Sequence, residues 1–225
     1  MLSAAATRTR VKICGITRVE DGVAAAEAGA DAIGLIFWPG TPRFVSFDQA
    51  RAIVGALPAF VTVVGLFVDP SPQTVRAALA ALPLDLLQFH GDEPPELCAS
   101  FDRPYVKAVP VRPEVDLLQY AARFEAARGL LFDAHQPGGL PGGTGKTFDW
   151  ARLPPQFLDP MSRRLILSGG LTPQNVADAV RRLHPWAVDV SSGVEETGAD
   201  GKPRRGIKSA AKIAAFVREV RHADG

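Results

Sequence analysis

Eight short runs of β-branched and aliphatic residues punctuate the chain, at 11–14, 32–37, 61–68, 86–90, 105–109, 130–134, 165–168 and 187–190. Most are continuously apolar rather than alternating, the pattern of strands covered on both faces of a parallel sheet. Parallel neighbours need crossovers. The segments 19–28, 47–56, 72–80, 94–100, 116–126, 149–153, 173–183 and 207–221, Ala-rich or amphipathic at helical spacing, supply them. Thr172 followed by Pro173 reads as a helix start, a hydroxyl that caps free amides and a proline suited to the first turn. Eight strand–helix pairs without a compositional break predict an α/β fold, a single (β/α)8 TIM barrel over residues 11–222 after a flexible tail at 1–10. The alternative for this pattern is a doubly wound sheet.

Composition narrows the function more than the fold. The 225 residues suit one barrel or two small domains, and 47% hydrophobic with 22% charged residues excludes disorder of the bulk. Lys+Arg 25 against Asp+Glu 24 leaves a net charge of +1, with no basic excess to hold a polyanion, so nucleic acid is not an expected partner. The longest apolar run, 59–68, is about half of the roughly 20 residues a spanning helix needs, and no membrane crossing is expected. Residues 1–10 lack the apolar stretch of a secretory signal. Cys14 and Cys98 are too few for a disulfide framework and too far apart for a redox or metal motif; they suit a reducing cytoplasm, and no metal site is expected.

In a barrel the chemistry gathers where strands end, on the face carrying the loops that follow them. Cys14-Gly15 closes the first run, and there a cysteine works as base or nucleophile once its thiolate is favoured. Cys98, between Leu97 and Ala99 in a helical stretch, reads as core. Pro39, Pro42 and Gly40 frame a stiff loop presenting Arg43, either a surface charge or a planar fork for a carboxylate. His90 ends the fourth run, as a structural histidine or an aid in orienting substrate. Asp133 ends the apolar stretch of the sixth, as a turn aspartate or a general acid.

Glycines dominate three later loops. Residues 138–147 invite a nucleotide reading, but Leu140 stands where a P-loop needs glycine; the loop reads as a mobile flap with Lys146 available to meet an anion. Ser168-Gly169-Gly170 and Asp189-Val190-Ser191-Ser192-Gly193 end the last two runs, the place where barrels commonly bind phosphate.

Lys12-Ile13-Cys14-Gly15-Ile16-Thr17, Pro42-Arg43, Gln88-Phe89-His90-Gly91, the 141–150 run, Leu167 to Leu171 with Asn175, and Asp189 to Glu195 together resemble the phosphoribosylanthranilate isomerase family of tryptophan biosynthesis. The resemblance runs from residue 12 to 216 in the family's order. It implies a barrel without a cofactor that performs an Amadori rearrangement on a small phosphorylated substrate, as a monomer or homodimer. Carried over by position, the general base falls on Cys14, the general acid on Asp133 and the anthranilate-contacting arginine on Arg43. Phosphate contacts fall on Gly169, Gly170, Ser191, Ser192 and Gly193, with His90 and Asp189 as further substrate-orienting candidates. Two departures stand out: Thr41 where the family commonly has serine, and a charged insertion at 199–205 before Ser209, where aspartate is frequent.

A related barrel of histidine biosynthesis performs the same rearrangement with carboxylates ending its first and fifth strands, where this chain has Cys14 and Val109-Pro110. A barrel that merely binds a phosphorylated sugar needs neither Cys14 nor Asp133.

Overall fold

A computed structural model of the chain describes residues 8–134, 149–158, 165–199 and 201–225. Eight parallel strands close into one barrel in sequence order. They are β1 (Arg10–Cys14), β2 (Ala32–Ile36), β3 (Thr62–Phe67), β4 (Leu86–Phe89), β5 (Tyr105–Val111), β6 (Gly129–Ala134), β7 (Leu165–Leu167) and β8 (Ala187–Val190). Closure comes from β8 pairing with β1 in a register that sets Lys12 beside Asp189. The doubly wound alternative is thereby excluded.

The crossovers are α1 (Val19–Ala28), α2 (Phe47–Gly55), α3 (Pro72–Ala81), α4 (Pro95–Ala99), α5 (Leu117–Arg123), α6 (Val176–Leu183) and α7 (Ala210–Asp224). Local chemistry fixes their ends. Ser46 and Gln49 form a reciprocal capping box at α2, and Ser71 caps α3 with Pro72 in its first turn. Strand alternation separates two layers. Val11 and Ile13 belong to the large core between barrel and helices, whereas Cys14 joins Ile36 and Leu66 in a small cluster of its own. Around β2 to β4 the outer layer carries a chain of rings, Phe37, Phe67, Phe89 and Phe101, with consecutive centroids 5.5, 6.2 and 6.0 Å apart. Burial of each such side chain stabilises the fold by about 1.5–3 kcal/mol.

Five expectations need correction. Residues 9 and 10, expected in a tail, belong to the barrel: Arg10 is already in β1, and the Thr9 amide and hydroxyl donate to Asp224 at 2.9 and 2.6 Å. The last helix runs to Asp224, past both its expected end at 221 and the expected barrel limit at 222. The stretch 149–153 forms only a 3-10 turn, Trp150–Arg152, followed by another at Pro155–Phe157. Thr172 and Pro173 do not open α6. The Asn175 side chain accepts from the Thr172 amide at 2.8 Å and donates to the Gly170 carbonyl at 3.0 Å, closing a turn that delays the helix to Val176. Finally, residues expected to begin the last helix at 207 instead form β10 (Pro203–Lys208), which pairs antiparallel with β9 (Glu195–Thr197). Pro203 to Arg205 of the inserted segment lie in the return strand of this hairpin, and Ser209 caps α7 by accepting from the Lys212 amide. No helix among the described residues is long and apolar enough to cross a membrane.

Candidate active site

Cys14, Arg43, His90, Asp133, Asp189 and Ser191 line one narrow cleft at the ends of the strands. Trp38, Leu66 and Val68 supply its apolar wall. Cys14 and Asp133 stand on β1 and β6, three strand steps apart through β7 and β8.

Gly15, with φ 73°, is required where it is: a Cβ there would stand 2.7 Å from the Arg43 side chain and 3.2 Å from the Ser191 hydroxyl. Its absence lets Arg43 cross beside Cys14. Cys14 is 4% exposed, and burial pushes its thiol above the ordinary value, with the Lys12 ammonium pulling the other way. The lowered thiol value anticipated for a base is therefore not what the structure gives Cys14. Cys98 lies in the core as expected, its thiol pushed by burial up to about 12.

At the other end His90 Nε2 lies 3.2 Å from Asp133 Oδ2, and Gln88 Nε2 lies 3.1 Å from His90 Nδ1. With the Gln88 amide donating to Nδ1, the imidazole proton sits on Nε2 and is donated to Asp133. Gln88 Oε1 is then a buried acceptor with no hydrogen-bond partner among the described residues.

Arg43 is neither a surface charge nor a free fork. It is 5% exposed, and its Nε and one terminal nitrogen donate to the two carboxylate oxygens of Glu195 at 2.6 and 3.0 Å. Burial acts to raise Glu195, but the hydrogen bonds and charges of Arg43 and Lys208 outweigh it and hold the carboxyl below its usual range. Lys208 also donates to the Ser191 carbonyl at 3.0 Å, and burial drives it down to about 8.

The two glycine turns follow β7 and β8, and Ser168 and Ser191 at their starts reach the cleft. Gly169 and Gly170 have φ 85° and 65°, a succession that side chains other than glycine rarely adopt. A Cβ at Gly193 would lie 1.9 Å from the Leu171 carbonyl oxygen. Ser192 and Gly193 share a cleft of about 420 Å³ with Thr172, Arg43, Arg205 and Lys212. Because α6 starts at Val176, any anion at the first turn faces loop amides rather than a helix end. The flap at 138–147, with Lys146, lies outside the described residues.

Glu195, Lys208, Lys12 and Gln88 were not singled out for roles in the sequence. For Lys12 and Gln88 the signal was present: each shares strand parity with a candidate two residues on, Cys14 and His90. Glu195 and Lys208 carried none: Glu195 meets Arg43, 152 positions away, and Lys208 meets Glu195 only across the hairpin.

The family model described as N-(5′phosphoribosyl)anthranilate (PRA) isomerase matches residues 11–219. An N-(5′-phosphoribosyl)anthranilate isomerase of Thiobacillus denitrificans is 56% identical over 212 residues, covering 94% of this chain and 98% of the relative. The crystal structure of phosphoribosyl anthranilate isomerase from Thermotoga maritima is similar at TM-score 0.82 and 38% identity, covering 95% of this chain and 99% of that one. A further crystal structure of such an isomerase, in complex with reduced 1-(o-carboxyphenylamino)-1-deoxyribulose 5-phosphate, gives TM-score 0.76 at 36% identity, with the same coverage.

Proposed function

The chain belongs to the N-(5′-phosphoribosyl)anthranilate isomerase family and catalyses the isomerisation of phosphoribosylanthranilate to 1-(2-carboxyphenylamino)-1-deoxyribulose 5-phosphate in tryptophan biosynthesis, and we propose that Cys14 is its base and Asp133 its acid. The observation that carries this assignment is their common cleft: a thiol and a carboxyl on separate strands, with Arg43 between the cleft and the glycine loops.

Asp133 gives its proton to the furanose ring oxygen while the bond from that oxygen to the anomeric carbon breaks, and the anilino nitrogen's lone pair forms an iminium. The positive nitrogen acidifies the C–H of the sugar's second carbon. Cys14 thiolate takes that proton, the electron pair closes an enolamine, and tautomerisation to the ketone completes the rearrangement. His90 orients Asp133 through its Nε2 proton. Arg43, its fork half-occupied by Glu195, offers its remaining N–H groups to the anthranilate carboxylate. The phosphate lies against the amides of Gly169, Gly170, Ser191, Ser192 and Gly193, where glycine permits close approach. Holding both ends of the substrate fixes the reacting carbon between acid and base.

The test is loss of phosphoribosylanthranilate fluorescence, with substrate generated in the cuvette. Wild type turns over, whereas Cys14→Ser and Asp133→Asn each fall by orders of magnitude with an unchanged melting profile. Nearly full turnover by either variant removes that residue from its role.

A further inference from the structure

Lys12 stands on β1 two residues before Cys14, so alternation directs both side chains to the same face. Its ammonium is 2.7 Å from Asp189, its register partner on β8, with side chains 10% and 5% exposed. Lys12 lies beneath a cleft to whose lining Cys14 and Asp189 contribute. A buried ion pair is weak as a source of stability, since desolvating two charges consumes most of their attraction. Its position is more informative than its energy.

Cys14 pairs in register with Gly34 on β2. A Cβ at Gly34 would stand 2.8 Å from the Cys14 sulfur and 3.1 Å from Lys12 Nζ. Sulfur and ammonium thus converge on one point of β2 that carries no side chain.

We propose that Lys12 is a positioning residue for the base: held by Asp189, its ammonium faces the Cys14 sulfur across the gap at Gly34 and stabilises the thiolate that takes the sugar proton. The proposal rests on the reading of Cys14 as base. Before proton abstraction the thiolate, ammonium and carboxylate together carry a charge of −1. Afterwards sulfur holds the proton, the total is zero, and Asp189 keeps Lys12 paired. Charges face Cys14 from each side of this arrangement. Lys12 on its own strand favours the thiolate, and so does Lys208 from the hairpin; Asp189 on β8 opposes it together with burial. Lys208 is committed to Ser191 and Glu195, and Arg43 to Glu195. Strand β2 contributes Gly34 and Ile36, which carry no charge. Across the cleft stand His90 and Asp133, bonded to each other.

The experiment is site-resolved alkylation of Cys14 by iodoacetamide across pH, read by mass spectrometry of its peptide, in the whole protein. In Lys12→Met the midpoint moves up by about one unit or more, so alkylation below both midpoints is at least about tenfold slower. Asp189→Asn moves the midpoint down. Gly34→Ala, which keeps every charge but intrudes between sulfur and ammonium, moves it up and provides the same test should Lys12→Met fail to fold. The acidic limb of kcat/KM follows each shift. An unchanged Cys14 midpoint in Lys12→Met or in a folded Gly34→Ala overturns the proposal. Failure of the base assignment reads differently: Cys14→Ser then retains turnover, whatever Lys12 does to the thiol.

Discussion

Cys14 sits among buried charges, with Lys12 and Asp189 paired at 2.7 Å beneath it and Lys208 nearby, whereas Asp133 faces His90 and Gln88 in a relay of hydrogen bonds. The two ends of the cleft therefore control proton transfer differently. At the β1 end the balance of fixed charges decides how much thiolate exists, so a substitution there acts through pH. At the β6 end the relay aims the carboxyl, so a substitution acts on rate at every pH. Between them the Arg43–Glu195 pair, tied to Lys208, joins the cleft to the glycine loops.

Removing either proton-transfer group is the most severe way to break this contrast. Asp133→Asn and Cys14→Ser are each expected to lower kcat/KM by about 10²–10⁴-fold, the usual worth of general acid–base catalysis. Burial holds Cys14 above its ordinary value, so the wild-type rate rises with pH through neutrality, wherever thiolate is the scarce form. A pH-rate profile of kcat/KM that is flat on the acid side counts against a thiol base. The two limbs of that profile belong to the coupled site and not to single residues.

Next in size is the bridge between the ends. Glu195→Gln leaves the buried Arg43 guanidinium without a counter-charge, and stability is expected to fall by about 3 kcal/mol. Thermal unfolding should show this as a Tm lower by roughly 6–12 °C for a chain of this size. Arg43→Ala is expected to raise KM more than it lowers kcat, with Arg43→Lys also impaired because an ammonium cannot reproduce the planar fork. A fall in kcat alone would remove Arg43 from the carboxylate.

His90→Asn sharpens the contrast from the acid end. Its cost is on the order of tenfold in kcat, the worth of one hydrogen bond in the transition state, with the acidic limb of the profile unmoved. A separate effect, on stability rather than rate, concerns Lys208, whose value of about 8 in the folded chain lies below the ordinary 10.5. Below pH 8 the cost of its buried charge is fully present. Between about 8 and 10.5 the folded protein releases that proton while the unfolded chain keeps it, so stability rises. Wild type should gain in Tm relative to Lys208→Met across that window, and a constant difference would contradict the shift.

How much of this was legible depended on whether partners were near in sequence. The strands announced themselves because both faces of β2, β3 and β8 are covered, and the ends of β1, β6, β7 and β8 located Cys14, Asp133 and the two glycine turns. The hairpin did not: Pro203, Arg204 and Arg205 are exposed, and only Gly206 and Lys208 among its last residues are buried, so no apolar run marked it. The start of α6 was misread because Thr172-Pro173 has the chemistry of a cap, while Asn175, three residues on, ties Thr172 into a turn instead. Arg43's engagement with Glu195, 152 positions away, is a product of closure and leaves no local trace. Lys12 was readable by parity but passed as part of an otherwise apolar strand.

The division of labour between the two ends is tested most directly by the primary isotope effect on turnover of phosphoribosylanthranilate carrying deuterium at the sugar's second carbon. Cys14→Ser slows the C–H cleavage itself, so its isotope effect should be fully expressed and larger than that of wild type. Asp133→Asn slows the ring opening that precedes it, so its isotope effect should collapse toward one. Equal effects in the two variants, or a large effect in Asp133→Asn with none in Cys14→Ser, would contradict the assignment of base and acid.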